Sequence, residues 1–408
     1  MISLNIIQFR MTKKIDKYLL AYLIVLLIFS YFFLFIKHQV GNASTISEWV
    51  INYEGGFTKR GIVGQIAIEI TRIFESNLRW TIFLIQSFVC TIYFILLYYF
   101  LRNVEIERTI ILSIFTPIFI LYPVAEIEVL ARKEIIIFSL FLIYLYVPRK
   151  NDLKIFALTS FSLLSILVYE PIIFFFPLIL IFEIIENKIN KLNIDFLKII
   201  LSFIPSLLIA SIFIFNPLSE NEHNIMSSVL KDEFNQSCYM SCALLKSKSS
   251  VYLQFQDNFK HYSFEVFFRY ILIILIGSYP LLVLLKNSSL RNQNLIFLRY
   301  FKKPFIPFII CLLPVTLLFA MGYDWGRWVN ITYVILVLIY FRLLINKELI
   351  LDFVKLKNEF FYKINKKSFI IFFIIFCLGW NPKTVMTGDV ASFPGYRIPY
   401  KAIKLILN

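Results

Sequence analysis

Residues 18–36 read YLLAYLIVLLIFSYFFLFI, an apolar run that contains no charged side chain. A helix needs about 20 such residues to cross the hydrocarbon core of a bilayer, so this run predicts a transmembrane helix. A basic stretch precedes the run, which is too long for a signal peptide and has no small-residue cleavage site after it. We therefore expect a retained first span.

The whole chain shares this apolar character. Of its 408 residues 59% are hydrophobic and only 16% are charged, and Lys and Arg outnumber Asp and Glu by 41 to 26. Soluble proteins are far less apolar and carry more charge. The basic excess that gives a net charge of +15 is therefore expected to lie mostly in cytoplasmic loops of a membrane protein, and we expect no nucleic-acid partner.

Ten further apolar runs predict the remaining architecture, an all-α polytopic membrane protein with about 11 transmembrane helices in one domain, 1–408. They lie near 80–101, 109–123, 135–147, 155–169, 172–186, 199–216, 264–285, 305–320, 329–345 and 368–380. With the N-terminus inside and the C-terminus outside, the inner segments carry 23 of the 41 basic residues, as the positive-inside rule requires. Two long extracytoplasmic loops result, 37–79 and 217–263.

Few residues suggest metal or cofactor chemistry. The chain has no Gly-rich phosphate loop, no zinc-ligand spacing and no serine nucleophile elbow, and its three histidines are scattered. We therefore expect no metal and no cofactor. Cys238 and Cys242 share one polar outer loop, where a disulfide and two free thiols are equally open alternatives.

The first outer loop contains the segment SEWVINYEGGFTKRG, residues 47–61, with three of the chain's 11 glycines. Residues 61–76 follow with helical periodicity and two opposed stripes. The apolar stripe is Ile62, Ile66, Ile70 and Ile73, and the polar stripe is Gln65, Glu69, Arg72 and Ser76. This pattern predicts a helix lying in the membrane interface.

The start of that interfacial helix is a candidate anion site. Thr58 is placed to cap the helix, and Lys59 and Arg60 lie at its N-terminus, where free backbone N–H groups and the helix dipole favour an anion. The alternative is a tight turn whose basic residues touch lipid headgroups.

Two short outer connections add further charges. The segment EIEVLARKE, residues 126–134, includes Glu126, Arg132 and Lys133, which lie near membrane level if the fourth span begins there. Charges at that depth usually face a protein interior or a water-filled cavity, although interfacial snorkelling is the alternative. Glu170, in the hairpin 169–171, is either a solvated turn residue or the partner of a neighbouring arginine.

A third short connection, GYDWGRW at 322–328, combines Asp324, Arg327 and the indoles of Trp325 and Trp328. Aromatic residues at an interface are ordinary membrane anchors, and Asp324 and Arg327 are spaced to pair with each other. Arginine beside aromatic rings also suits a phosphate next to a sugar, because the guanidinium binds phosphate through a planar fork.

Three charged residues lie near the predicted inner ends of spans: Glu183, Glu186 and Arg342. We expect them to extend toward the cytoplasm, as long charged side chains do at helix ends.

Basic groups beside lipid suit a ligand with an anionic head and an apolar tail, such as a lipid pyrophosphate. In its layout the chain resembles bacterial surface-polysaccharide membrane enzymes, namely the Wzy-like O-antigen or capsule repeat-unit polymerases and the GT-C glycosyltransferases. The resemblance implies a glycosyltransferase of the bacterial cytoplasmic membrane that uses polyprenyl-pyrophosphate-linked sugars on the extracytoplasmic face. It also implies other polysaccharide-assembly membrane proteins as partners, besides the lipid bilayer.

Such an enzyme would give each candidate residue a role. Glu54, in the first outer loop, is expected to be the general base, and the basic residues stabilise the leaving pyrophosphate. The basic set is Lys59, Arg60, Arg132, Lys133 and Arg327; the supporting acids are Glu126, Glu170 and Asp324; the sugar-stacking rings are Trp325 and Trp328.

Two other classes of protein compete with the enzyme. A flippase or transporter of lipid-linked oligosaccharides should show an internal repeat or polar residues near mid-membrane, and neither is obvious in the sequence. A membrane scaffold without chemistry leaves the clustering of charged residues on the outer face unexplained.

Overall fold

The computed structural model describes residues 13–148, 151–243, 245, 251–301, 303–388, 390 and 403. This part of the chain is mostly helical, and its helices are numbered in chain order. They are α1 Lys13–Gln39, α2 Ala43–Ile46, α3 Gly61–Ile73, α4 Leu78–Leu101, α5 Arg108–Phe115, α6 Tyr122–Ala125, α7 Ile127–Leu130, α8 Glu134–Tyr146, α9 Asn151–Val168, α10 Phe176–Glu186, α11 Ile194–Ser202, α12 Ile204–Phe215, α13 Glu220–Asp232, α14 Met240–Ala243, α15 Val251–Phe259, α16 Phe264–Lys286, α17 Phe305–Cys311, α18 Thr316–Met321, α19 Trp325–Ile345, α20 Phe353–Lys357, α21 Phe360–Lys363 and α22 Lys366–Leu378. Two 3-10 helices cover Glu170–Phe175 and Leu313–Val315. A short ribbon pairs β1 Ser288–Leu290 antiparallel with β2 Leu349–Leu351.

Five helical stretches are long and apolar enough to cross a membrane. They are Asp16–Gln39, Leu78–Leu101, Ile194–Phe215, Phe264–Lys286 and Trp325–Ile345. Glu134–Tyr146 and Phe305–Met321 are shorter apolar helices. A mostly helical fold with several apolar helices, compatible with the predicted all-α membrane protein, is thereby confirmed, while the number of about 11 spans stays a prediction.

Helix α19 forms the centre of the protein. Its apolar window is 78% buried, whereas the corresponding windows of the other four long helices are 28–44% buried. The exposed apolar side chains of those four helices, such as Phe32 and Leu84, suit contact with lipid tails. Residues at the start of α19 are therefore held in the interior of the bundle.

The third predicted span is interrupted. Helix α5 ends at Phe115 because Pro117 disfavours a helical conformation at Thr116, which is extended. The Thr116 hydroxyl donates to the carbonyl of Gly277 at 2.8 Å, and the Asn330 amide donates to the carbonyl of Ile118 at 2.8 Å. Non-helical backbone at membrane depth is tolerated where protein satisfies it in this way. Segment 116–133 thus runs through the interior and brings charged residues to the buried start of α8.

Contacts between connecting segments sort them into two groups. Among the segments predicted to be outer, the Ser241 N–H donates to Ser47 Oγ at 3.0 Å, and Arg72 pairs with Glu233 at 2.7 Å. Among those predicted to be inner, Arg108 donates to the carbonyl of Phe361 at 2.9 Å. The assignment of the two groups to the outer and inner faces of the membrane stays a prediction.

The expectation that the inner-end acids extend into the cytoplasm was wrong. Glu183 and Glu186 are 0% and 1% exposed. Lys154 Nζ lies 3.1 Å from Glu186 and 3.8 Å from Glu183, and Arg342 lies 3.3 Å from Glu186. Because α9 and α19 supply these cations beside α10, ion pairing inside the bundle replaces solvation of the carboxylates.

Candidate functional site

The first outer loop packs against helix α3 and continues into the interior of the protein. Ser47, Glu48 and Trp49 are all buried, and the Trp49 indole donates to the carbonyl of Ala131. Gly64 of α3 makes this passage possible, since a Cβ there would lie 1.9 Å from the carbonyl oxygen of Ile51. The loop is therefore fixed from both sides, and Glu48 points into the bundle.

Three arginines converge on the Glu48 carboxylate, whose side chain is only 2% exposed. Arg132 lies 2.9 Å from it, Arg327 lies 3.2 Å from it and Arg60 lies 3.6 Å from it. These cations come from three different connections, so the carboxylate joins the first loop, segment 116–133 and the start of α19. We call Glu48, Arg60, Arg132, Arg327 and the residues that pair with them the arginine cluster.

Arg327 is the most deeply placed cation of the cluster, at 3% side-chain exposure. Besides Glu48 it contacts Glu134, the first residue of α8, and it lies 3.0 Å from Asp324. A buried guanidinium is tolerated only when its N–H donors find acceptors, and each of the three nitrogens of Arg327 donates to one of these three carboxylates.

Arg60 lies at the more open side of the cluster. It has a left-handed backbone with φ of 63° and immediately precedes α3. Its guanidinium makes two hydrogen bonds of 2.8 Å to Glu170, and its carbonyl accepts a hydrogen bond from Lys133 Nζ. Lys59 Nζ lies 3.9 Å from Glu170. Of the two alternatives for Glu170, the structure favours the arginine partner.

The aromatic ring of Tyr169 contacts two of the guanidinium groups. The Arg60 and Arg327 guanidinium carbons each lie 4.8 Å from the centroid of the Tyr169 ring. Trp328 stacks against the same tyrosine with ring centroids 6.2 Å apart. Cation–π attraction between the Tyr169 ring and each guanidinium partly offsets the repulsion between the positive charges of Arg60 and Arg327.

The charges of the outer loop acids are fixed by their partners. Burial alone would raise the pKa of the Glu48 carboxyl, but Arg327, Arg132 and Arg60 hold it well below its usual range. Burial likewise opposes ionisation of Glu170, and Arg60 nevertheless lowers the pKa of that carboxyl. Both acids are therefore carboxylates at neutral pH, and each cancels part of the positive charge.

Several buried donors in the cluster have no acceptor within the described part of the chain. They are Arg132 Nε, the Tyr169 hydroxyl and Trp328 Nε1. Buried polar groups are normally hydrogen-bonded, so each unsatisfied donor needs an explanation. A bound anion supplies such acceptors.

The cluster has a closed floor and an accessible rim. Glu48 and Arg327 form the floor, with side chains 2% and 3% exposed. On the rim, the side chain of Lys59 is 38% exposed, that of Glu170 is 22% exposed and that of Asp324 is 28% exposed. An incoming anion would meet Lys59 and Arg60 first.

The structure thus brings together all five basic residues predicted from sequence, with Glu170 and Asp324. Glu126 lies in a neighbouring pair, with Lys383 Nζ at 2.9 Å. Sequence reasoning missed Lys383 because it lies in the last outer segment, which carries no signal of contact with Glu126. It also missed Glu48, although that acid lies in the 47–61 segment among strongly apolar neighbours, a pattern that signals burial.

Glu54, the predicted general base, is placed apart from the cluster. Its carboxylate lies 2.8 Å from Arg72 and accepts a hydrogen bond of 2.9 Å from Gln65. Among the described residues it forms no ion pair with Arg60, Arg132 or Arg327. The polar stripe of α3 therefore engages Glu54, and its position gives no support to a role next to a bound pyrophosphate.

Two further expectations need correction. Thr58 does not cap α3, because the residue before the helix is Arg60 and no side chain caps it. Trp325 is 4% exposed, donates to the carbonyl of Phe319 at 2.8 Å and packs against Tyr262, so it has little ring surface left for a sugar. Trp328 is 6% exposed and packs on Tyr169, so it too acts in packing in this conformation.

Comparison with known proteins gives no relative: no family model, no curated protein and no solved structure matches the chain. The geometry of the arginine cluster is therefore the basis for assigning a function.

Proposed function

We propose that this protein is a membrane glycosyltransferase that acts on polyprenyl-pyrophosphate-linked sugars in bacterial surface-polysaccharide biosynthesis, as a repeat-unit polymerase. The observation that carries the proposal is the convergence of Arg60, Arg132 and Arg327 on one buried carboxylate, Glu48. Glu48 holds the three cations together in the absence of substrate. An entering pyrophosphate then meets guanidinium groups that are already ordered, which lowers the cost of reorganisation.

The leaving group determines the role of the cations. An acceptor hydroxyl attacks the anomeric carbon, the bond from that carbon to the pyrophosphate oxygen breaks, and the hydroxyl proton moves to a carboxylate. Negative charge develops on the pyrophosphate, where Arg60 and Lys59 on the rim stabilise it. Arg132 Nε and the Tyr169 hydroxyl are further donors for its oxygens.

Asp324 is the carboxylate best suited to accept the proton. Its side chain is 28% exposed and has one contact with Arg327 at 3.0 Å. Glu170 has two hydrogen bonds to Arg60 and a nearby Lys59, so it is less available as a base. We therefore transfer the proposed role of general base from Glu54 to Asp324.

Helix α3 offers a lipid-facing path to the cluster. Ile66 is 50% exposed, and Ile73 and Phe74 are each 73% exposed, so the isoleucine stripe points away from the protein. A different face of α3, with Val63 and Ala67, is buried and packs into the core. A polyprenyl tail can lie along the exposed stripe while its pyrophosphate reaches Lys59 and Arg60 at the start of the helix.

The proposal is tested by the surface glycan of a deletion strain complemented with single variants. Arg60→Ala, Arg132→Ala and Arg327→Ala should accumulate in the membrane yet leave single repeat units on the lipid anchor. Arg79→Ala is a matched control, because this outer arginine contacts the carbonyl of Asn42 and the hydroxyl of Tyr239 instead of the cluster. Normal long chains in all three cluster variants would refute the proposal.

The same experiment separates related activities. A missing sugar within the repeat unit would indicate a transferase that adds one residue. Lipid-linked units retained on the cytoplasmic side would indicate a flippase and would contradict the proposed enzyme.

A further inference from the structure

The second long outer loop brings two cysteines and a histidine together. Cys238 and Cys242 are joined by a disulfide, which decides between the two alternatives left open by the sequence. His223 Nε2 lies 3.2 Å from Cys238 Sγ. The histidine is 5% exposed and Cys242 is 0% exposed, so this group is built into the loop.

Local structure positions each of the three side chains. His223 is on the buried face of α13, whose first turn is fixed by a capping box between Ser219 and Glu222. Cys242 is in α14, and Cys238 precedes that helix. The imidazole nitrogen and both sulfurs lie within 4.8 Å of one another.

We propose that His223, Cys238 and Cys242 form a zinc site in the thiol form of the protein, so that zinc binding and the disulfide are alternative states of one group. Two thiolates and an imidazole are among the ligands that Zn²⁺ prefers. Three protein ligands leave one tetrahedral position for water or another donor. No sequence pattern indicates the site, because His223 lies outside any standard zinc spacing relative to the cysteines.

The two states interconvert by a balanced reaction. A dithiol reductant transfers two electrons and two protons to the Cys238–Cys242 disulfide, which yields two thiols and leaves the reductant as a disulfide. Zn²⁺ then displaces the two thiol protons, since the thiolate is the metal ligand. In the return step a disulfide oxidant accepts two electrons from the two thiolates and becomes a dithiol by taking up two protons, which restores the Cys238–Cys242 disulfide and releases Zn²⁺.

The contacts of the His223, Cys238 and Cys242 group indicate which part of the protein differs between the disulfide state and the zinc-bound state. The backbone N–H of Ser241, between the cysteines, donates to Ser47 Oγ at 3.0 Å, and Ser47 immediately precedes Glu48. Glu222, next to His223, packs with its carbonyl against Gly55 of the first loop. The Cys–His group therefore joins the second long loop to the loop that carries Glu48. Zinc binding at this group is independent of the proposed glycosyltransferase activity.

Zinc titration of the full-length protein in detergent tests the proposal. The protein is reduced with a phosphine, freed of reductant without oxygen and titrated with Zn²⁺ against a chromophoric chelator. We expect about one tight Zn²⁺ per reduced chain and none per oxidised chain. His223→Gln, Cys238→Ser and Cys242→Ser should each weaken binding by more than about 100-fold, since even loss of an outer hydrogen-bond partner costs 10–100-fold.

Two controls keep the outcome decisive. His261→Gln changes another histidine of the same outer loop and should bind Zn²⁺ like the parent protein. Co²⁺ substitution should give thiolate-to-metal absorption in the reduced parent protein, and size-exclusion chromatography shows whether each variant is folded. Absence of tight binding in the reduced parent, or full binding in folded His223→Gln, would overturn the proposal.

Discussion

At the scale of single residues, Glu48 has the largest effect on the arrangement of charge. It is the shared partner of Arg60, Arg132 and Arg327, at 2.9–3.6 Å. A buried ion pair adds little net stability compared with apolar packing, but removing one partner leaves the others as buried, uncompensated charges. The acid is therefore more important for holding the arginines in place than for stability as such.

Glu48→Gln should destabilise the protein by about 3 kcal/mol, the low end for a broken buried pair, because the arginines keep other partners. Polymer formation should be lost, since the guanidinium groups are no longer held in one geometry. Thermal unfolding in detergent and the glycan assay measure the two effects. Glu54→Gln is the matched control and should retain polymer, because Glu54 pairs with Arg72 at the exposed side.

The lowered pKa of Glu48 predicts how the stability of the protein depends on pH. The pKa of Glu48 is held below its ordinary value of 4.5 by the arginines, so its contribution to stability is complete above about pH 4.5. That contribution should be lost as the pH falls below 4.5 toward the lower, folded-state pKa. The difference in melting temperature between the parent protein and Glu48→Gln should shrink between pH 6 and roughly pH 3. An unchanged difference would show that Glu48 has an ordinary pKa.

The sequence predicted the basic residues of the arginine cluster better than its acidic residues. Arg132 and Arg327 lie in short connections between spans predicted to end at the same face, and Arg60 lies in the glycine-containing segment directly before α3. The contacts of Glu48 and Lys383 depend on how long segments fold back. The apolar neighbours of Glu48 signal its burial, but no local pattern reveals which residues either side chain meets. Glu54 was proposed as the base for the same reason, since its position in the loop does not show that it pairs with Arg72 of α3.

At the scale of elements, α3 packs directly on the backbone of the first loop. Gly64 lies against the backbone of Trp49 and Ile51, where a Cβ would be 2.6 Å and 1.9 Å from the two carbonyl oxygens. These are backbone atoms and cannot move aside as a flexible side chain can. Any side chain at position 64 must therefore displace either the helix or the loop.

Gly64→Ala should consequently lower the melting temperature and abolish polymer formation, because it displaces the loop that carries Glu48. Gly322→Ala is a control of identical chemistry, since a Cβ there meets its nearest atom, the carbonyl oxygen of Leu318, at an ordinary 3.5 Å. Equal melting temperatures for the two variants would contradict the proposed packing of α3 on the loop. The effect at Gly64 should exceed about 1 kcal/mol, the lower end for overpacking.

The elements themselves were largely predictable from the sequence, because apolar runs and helices coincide where the chain is regular. One exception is the run 109–123, where Pro117 ends α5 and the chain continues through the interior. The Thr-Pro pair signals a break, but the partners that satisfy it, Gly277 and Asn330, come from distant helices. Tertiary contacts, and not local propensity, determine that path.

At the scale of the whole molecule, two groups of buried charges lie in connections assigned to opposite faces. The arginine cluster joins segments predicted to be outer, and the Lys154, Glu183 and Glu186 group joins elements near the predicted inner ends. Between them α19 is almost entirely apolar and buried. This separation favours a protein with its chemistry at one face over one with a charged path through the membrane.

The positive-inside count assigns the arginine cluster to the outer face of the membrane and the Lys154, Glu183 and Glu186 group to the inner face, and this orientation can be tested. The described native cysteines are suited to a labelling experiment, since Cys90, Cys311 and Cys377 are buried and the other two form the disulfide. Ser228→Cys and Asn358→Cys place single exposed thiols in a predicted outer and a predicted inner segment. A membrane-impermeant maleimide added to intact cells should label Ser228→Cys and should reach Asn358→Cys only after permeabilisation. The reverse pattern would place the arginine cluster in the cytoplasm, where a polymerase acting on exported lipid-linked units has no substrate.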